Sequence, residues 1–387
     1  MKINRNQMAL LELLKSTLFS ITPHLPKDIN WDEVFLEAKN QAVLALAAPS
    51  VPKEELHKWK KCVYQSTAYY MQMLHCQKQL INLFDTAGIP FVILKGTAAA
   101  FYYPSPIQRT MGDIDFLVPQ DQFEIARKLM EKSGYIVQYD DIEDKRHIGF
   151  TKHGVIFEMH RCFSSFGLDI EPAIIEGFRH RQNVMVLDCK FPMLPTLQNG
   201  LVLLAHIRQH LLEEQYSLGL RQVIDWMMYV HVNNNVDGWN EAFMKLARQY
   251  RLDTLAATVT FVCKKWLGMS DKVDWGADEV TAEELLKKIM ESGNFSVKKD
   301  KNELQDRPVQ MAFQRLRQES VFSYLQNEGK IKWKAAQRFR VLKLFAWIYQ
   351  LSNCVIRIAE RIKRGKPLIK ELSDGNDNRK FLRRLGI

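Results

Sequence analysis

Residues 94 to 118 read LKGTAAAFYYPSPIQRTMGDIDFLV, and the rest of the chain is organised around them. Within this stretch the run DIDFLVP, from Asp113 to Pro119, alternates with the period of two that marks a half-buried strand. On a strand Asp113 and Asp115 point to one side, while Ile114 and Phe116 point to the other. Two carboxylates facing each other this closely raise one another's pKa, and the pair is disfavoured unless a cation or a basic partner lies between them. Hard divalent ions such as Mg2+ take carboxylate and phosphate oxygens, and a pair of ions about 3.5 to 4 Å apart clamps both the attacking and the leaving oxygen of a phosphoryl-type transfer. Upstream, FVILKG (Phe91 to Gly96) is a compact apolar run of strand type. Lys95 and Gly96 close it, and Thr97 opens a short helix. That turn offers backbone N–H groups and an ammonium to a phosphate chain. Arg109, four residues before Asp113, is a fixed cation suited either to a phosphate or to an aspartate.

Working outward, DQFEIARKLMEKSG (Asp121 to Gly134) is an amphipathic helix ending on glycine. YIVQY, IGFTK and VIFEMHRCF follow as strands, the last two separated by His153 and Gly154 in the manner of a hairpin. In VIFEMHRCF, Glu158 and His160 share one face and Phe157 and Met159 the other. An acid on an apolar strand needs a reason, and Glu158 is the candidate third carboxylate of the site. His160 is the candidate to bind the acceptor, act as a base or orient Glu158. Residues 1 to 88 read as helices, with Asn30 as a candidate cap for WDEVFLEAKN. From Thr196 the helical period returns in segments 196 to 213, 218 to 233, 239 to 267 and 279 to 291. A polar linker and two further helices, 309 to 326 and 332 to 363, complete the chain. The expected fold class is α+β, a small mixed sheet flanked by mainly helical parts. The expected divisions are a helical region at 1 to 88, a catalytic core at 89 to 195, a helical domain at 196 to 295, and a linker with basic helices at 296 to 387.

Composition narrows the function classes. The net charge of +10 is concentrated at one end: residues 329 to 387 hold 16 Lys or Arg against 4 acids, which leaves residues 1 to 328 at −2. The body therefore lacks the basic surplus that binding a long nucleic acid requires. The six cysteines include no CxxC pair and read as reduced thiols. Near the N-terminus, Glu12 and Lys15 interrupt the apolar run, so an amphipathic helix fits better than a signal peptide. No run of about 18 apolar residues marks a membrane span, and the expected location is the cytoplasm.

The LKG strand, Arg109, the DID triplet with its apolar continuation, and the later E-x-H strand together resemble the uncharacterised bacterial nucleotidyltransferases of the polymerase-β superfamily. They are also similar to the KGGT-to-RxSxDxD pattern of antitoxin-associated nucleotidyltransferases. The resemblance runs from about residue 88 to 162, with a compatible helical continuation. It implies a polymerase-β-type core in which Gly96 and Thr97 match the glycine-serine phosphate loop, Asp113 and Asp115 the paired metal ligands, and Glu158 the third acid. Here Gly96 is followed by Thr, not by Gly or Ser, and the interval before Asp113 is long. The implied activity is transfer of a nucleoside monophosphate from an NTP, ATP first among the donors, to a small-molecule or protein acceptor. Mg2+ is the expected ion and Mn2+ its substitute. Lys95, Gly96, Thr97 and Arg109 are the expected nucleotide-binding group.

Other readings compete. Asp113 could cap a turn with Gly112 while Asp115 forms an exposed pair with Arg109. His206 and His210 have a zinc-binding spacing without the accompanying glutamate, and read as half-buried helix residues. Arg221 and Asp225, one turn apart, read as an intrahelical pair. The basic, aromatic segment 330 to 366 reads as a helix packed on the core, with peripheral membrane contact or nucleic-acid contact as alternatives. Two functional alternatives follow: a catalytically degenerate nucleotide-binding module, and a membrane-surface scaffold in a surface-glycan pathway.

Overall fold

The computed structural model describes residues 3–140, 147–163, 168–212, 218–270, 272–298, 340–363 and 377–387, with a few single positions between 322 and 333. Residues 1–298 with 385–387 form one compact unit, and residues 299–384 a second.

The first unit opens with helices α1 (Arg5–Phe19), α2 (Trp31–Asn40), the single turn α3 (Leu44–Ala47) and the long α4 (Leu56–Ala87). Asn30 caps α2 as expected: its side-chain oxygen accepts from the backbone N–H groups of Asp32 and Glu33, and those two acids in the first turn complement the helix dipole. After Gly88, in the left-handed region at φ 67°, the chain enters the sheet. The strands are β1 (Val92–Leu94), β2 (Ile114–Leu117), β3 (Ile136–Asp140), β4 (His147–Lys152), β5 (Val155–His160), β6 (Gln182–Val186) and β7 (Cys189–Met193). Between them lie helices α5 (Gly96–Ala100), α6 (Phe123–Lys132) and α7 (Glu171–Arg179).

The sheet is mixed and seven-stranded, in the order β3-β4-β5-β2-β1-β7-β6. β2 runs parallel to β5 and antiparallel to β1, and β1 runs parallel to β7. The class is thus α+β, as the sequence pattern predicts. Period-two alternation sorts the strands' side chains. Ile93, Ile114, Phe116, Phe150, Phe157 and Met159 join a single buried cluster with Phe84 of α4 and Phe123 and Met130 of α6. Phe84 meets Phe91 and Phe116 edge-on, with ring centroids 5.3 and 5.4 Å away. Each such aromatic side chain contributes roughly 1.5 to 3 kcal/mol on burial. With that face of the sheet sealed by α4 and α6, the intervening residues of β2 and β5 emerge on the opposite face.

Helices α8 (Thr196–Leu212), α9 (Leu220–Asn233), α10 (Trp239–Gln249), α11 (Asp253–Leu267) and α12 (Glu279–Ser292) follow. α9 is buried along nearly its whole length, including Arg221, Gln222 and Asp225. Its seam with α8 is tight: a Cβ on Gly200 would lie 2.3 Å from the Tyr229 hydroxyl and 2.6 Å from the Phe243 ring.

In the second unit a 3-10 segment (Arg340–Phe345) leads into α13 (Ala346–Lys363). The Trp333 and Tyr349 rings stack at 5.4 Å. Ile348, Leu351, Val355 and Ile356 recur at helical spacing and are 45, 42, 58 and 55% exposed. Most of the expected helix at 309 to 326 lies outside the described residues. Among the described residues, no helix is long and apolar enough to cross a membrane.

Candidate active site

Strand register assembles the site. β2 and β5 are parallel with Asp115 opposite Glu158 and Leu117 opposite His160, so Asp115, Glu158 and His160 emerge together on the face away from the aromatic core. The three offer ligand atoms that all lie within 4.8 Å of one another. The His160 Nε2–H donates to Asp115 Oδ1 at 2.9 Å and lies 3.6 Å from Glu158 Oε2. Lys95 Nζ donates to the same Asp115 oxygen at 2.7 Å. A carboxylate pair needs a positive neighbour, and Lys95 is that neighbour here.

The turn that delivers Lys95 is conformationally costly. Lys95 stands at φ 44°, ψ −133° as the residue before α5, a region that non-glycine residues occupy at a cost of about 1 to 3 kcal/mol. Gly96 follows at φ +25°, where a Cβ would come 3.4 Å from Met111 Cε and 3.5 Å from the Asp113 carbonyl oxygen. The β1–α5 turn is thus pressed against the loop that carries Asp113. The Thr97 hydroxyl points the other way and donates to Gln77 Oε1 of α4 at 2.5 Å. Thr97 therefore anchors the turn through its side chain.

Asp113 precedes β2 and is partly buried. It lies outside the close trio. Burial, and then the negative charges of Asp115 and Glu158, push its pKa up to about 7, against the pull of Lys95 and Arg221. Glu158 shifts the other way. Burial opposes its ionisation, but the hydrogen bond from His160 and the charges of Lys95, His160 and His147 hold it well below the usual carboxylate range. His160 is raised, because burial is outweighed by its bonds to Asp115 and Glu158. Lys95 is raised as well: burial is outweighed by Asp115, Glu158 and Asp113. The site is therefore a compact set of acids and bases with one carboxylate, Asp113, at which burial and the neighbouring acids outweigh the pull of Lys95 and Arg221.

Arg109 turns to the helical side. Its Nε and Nη2 donate to the two oxygens of Asp225 on α9, both at 2.7 Å. Tyr103 donates its hydroxyl to Asp225 Oδ1, also at 2.7 Å. This replaces both the exposed Arg109–Asp115 pair and the intrahelical Arg221–Asp225 pair as readings of these residues. A bidentate guanidinium–carboxylate bond satisfies both partners in a fixed plane, and it occupies both oxygens of Asp225 that an intrahelical pair with Arg221 would need. His206 and His210 meet at 3.0 Å between Nε2 atoms. His206 is held well below its ordinary pKa by burial, then by His210, Lys95, Arg221 and Arg109.

Residues 27–268, more than half of the 387-residue chain, match the family model described as uncharacterised nucleotidyltransferase. The chain belongs to that family. No curated protein matches it. For this member of the uncharacterised nucleotidyltransferases, the matched span takes in Lys95, the Asp113–Asp115 loop, the Glu158–His160 strand and helices α8 to α11.

The sequence reading passed over His147 and gave Arg221 little weight. His147 stands opposite His160 in the β4–β5 hairpin, its Nε2 4.0 Å from Glu158 Oε1 and its ring 5.1 Å from that of His160. The signal was present, because the two-residue turn at His153 and Gly154 fixes the register from Lys152–Val155 back to His147–His160. Arg221 is 9% exposed on α9. Its signal was weaker: polar and charged residues, Arg221, Gln222 and Asp225, within the otherwise apolar run LRQVIDWMMYV.

Proposed function

We propose that this protein is a metal-dependent nucleotidyltransferase built on a polymerase-β-type core. It moves a nucleoside monophosphate from an NTP, ATP being the expected donor, to a hydroxyl of a small-molecule or protein acceptor and releases pyrophosphate. The observation that carries this reading is the Asp115–Glu158–His160 cluster with Asp113 beside it, in a chain of a nucleotidyltransferase family. The acceptor oxygen bonds to the α-phosphorus, the bond from that phosphorus to the β-phosphate's bridging oxygen breaks, and the acceptor's proton leaves to a base or to water.

The donor set suits Mg2+ or Mn2+. Asp113, Asp115 and Glu158 supply hard oxygens, and Asp113 is an acid whose ionised form is disfavoured by burial and by the charges of Asp115 and Glu158, which Lys95 and Arg221 only partly offset. Bound there, divalent ions would neutralise charge on the triphosphate and lower the pKa of the acceptor hydroxyl. His160 fixes one oxygen of Asp115 and orients Glu158. Lys95 contributes a buried ammonium, and the Gly96–Thr97 turn backbone N–H groups, on the side assigned to the phosphates. Arg109 acts as a positioning residue, since its fork holds the loop before Asp113 against α9. Titrating each NTP with Mg2+ by calorimetry while following pyrophosphate release tests the reading, with Asp115→Ala as the control. Metal-dependent binding and release, both lost in the control, are expected. Binding without release from any NTP would instead support the degenerate module.

A second reading concerns the basic C-terminal region. The exposed apolar stripe of α13 within a segment of net +12 suits the surface of an anionic bilayer. Co-sedimentation of the full chain with phosphatidylserine vesicles, lost at high salt and in an Ile348→Glu, Val355→Glu variant, is the expected result. No sedimentation at low salt would rule this reading out.

A further inference from the structure

We propose that Arg221 is the oxyanion-binding group on the helical side of the site, taking a phosphate or carboxylate oxygen of a substrate. The assignment extends the nucleotidyl-transfer site and rests on that reading for the identity of the substrate. Its basis is an accounting of buried charge. Arg221 is 9% exposed, and its Nε is fully buried with no hydrogen-bond partner among the described residues. Nη1 makes a long hydrogen bond, to the Thr110 carbonyl at 3.4 Å. Asp225, the carboxylate one turn along the same helix, is held through both oxygens by Arg109 and through one of them by Tyr103. Among the described residues the guanidinium carbon also lies 5.6 Å from the Phe295 ring, and the Asp113 carboxylate acts on it through charge. A buried guanidinium left this way is destabilising unless an anion completes it.

Position supplies the other half. Arg221 Nη1 lies 3.6 Å from where a Cβ on Gly112 would stand, directly beside the residue that precedes Asp113. The two arginines of this region thus divide in role: the fork of Arg109 is closed onto a carboxylate within the chain, and the guanidinium of Arg221 lies beside the loop before Asp113 with no carboxylate in its fork among the described residues. Five planar donors suit the oxygens of a phosphate or carboxylate better than those of a neutral ligand.

The test is thermal denaturation of the metal-free full chain with inorganic pyrophosphate as the probe, comparing wild type with Arg221→Met. Pyrophosphate should raise the wild-type Tm and leave that of Arg221→Met nearly unchanged, while the variant alone melts at or above the wild-type temperature. If the Met variant fails to fold, Arg221→Lys, which keeps the charge and loses the fork, should show a reduced shift. Equal shifts in wild type and variant, or no shift in wild type, would overturn the assignment. Calorimetry with MgATP and with AMP then separates the sources of the anion. A roughly 10- to 100-fold loss for ATP and not for AMP, the scale of a charge-assisted hydrogen bond, places the donor's phosphates on Arg221. Unchanged ATP affinity alongside a lost pyrophosphate shift places an anionic acceptor there. A wild type that releases no pyrophosphate from any NTP, yet keeps the Arg221-dependent shift, would sink the transfer reading and leave the anion site standing.

Discussion

Two buried groups of charged side chains lie in the same unit and behave oppositely. In the Arg109–Asp225–Tyr103 group the carboxylate receives three donors at 2.7 Å and the guanidinium fork is matched. In the Lys95–Asp115–Glu158–His160 group the acids are drawn close by adjacent strands, and Asp113 is left with its ionised form disfavoured. Residue type does not separate the two, since both are acids facing bases in the interior. What separates them is whether the chain itself completes every charge. A completed set holds elements together, and an incomplete one is poised to take a ligand.

The contrast is open to direct attack. Removing one partner of the closed set leaves a buried charge alone, so Asp225→Ala should lower stability by about 3 to 5 kcal/mol, read by urea denaturation. Arg109→Ala should do the same, and the double variant should lose much less than the sum. In the open set the larger effect is on chemistry. Asp115→Asn should reduce pyrophosphate release by more than the roughly 10- to 100-fold that a supporting residue around a metal site contributes, and should lower the melting temperature as well, because Lys95 and His160 both donate to this buried carboxylate. His147→Ala removes such a supporting residue, and its loss in metal-dependent nucleotide affinity should fall within that range. Gly200→Ala, at neither charge set, drives a methyl into Tyr229 and Phe243; it should cost about 1 to 3 kcal/mol and leave the Km for nucleotide unchanged.

Proton linkage gives the smallest signal. With its pKa near 7 in the metal-free protein, Asp113 is about half protonated at neutral pH. Mg2+ binding at pH 7 should then release protons from this group, measured by calorimetry in buffers of different ionisation enthalpy. The sign for stability follows from the same shift. The folded pKa lies above the ordinary value of 3.8, so this group's contribution is intact below about pH 4 and is lost as pH rises toward 7. Adding Mg2+ above pH 7 should restore it.

Much of this was legible in the sequence because local rules governed it. Period two in DIDFLVP and VIFEMH put the acids and the aromatic core on opposite faces, and the glycine and asparagine signals fell where helices end or begin. The bidentate bond of Arg109 to Asp225 was not legible, since its partners are 116 residues apart and meet only through packing of α9. The separation of Asp113 from the trio was equally hidden. Spacing puts Asp113 and Asp115 on one side of an ideal strand, but β2 begins at Ile114, so strand alternation does not govern Asp113. His147 was legible in principle through the hairpin register, and Arg221 only through its place in an apolar helix.

Asp113→Asn bears most directly on the claim that an incomplete acid set is the catalytic centre. Removing a carboxylate whose ionised form is disfavoured on balance should leave the metal-free protein at pH 8 melting at or above the wild-type temperature, while Mg2+-dependent release of pyrophosphate disappears. A variant that turns over NTP as fast as wild type would contradict the account.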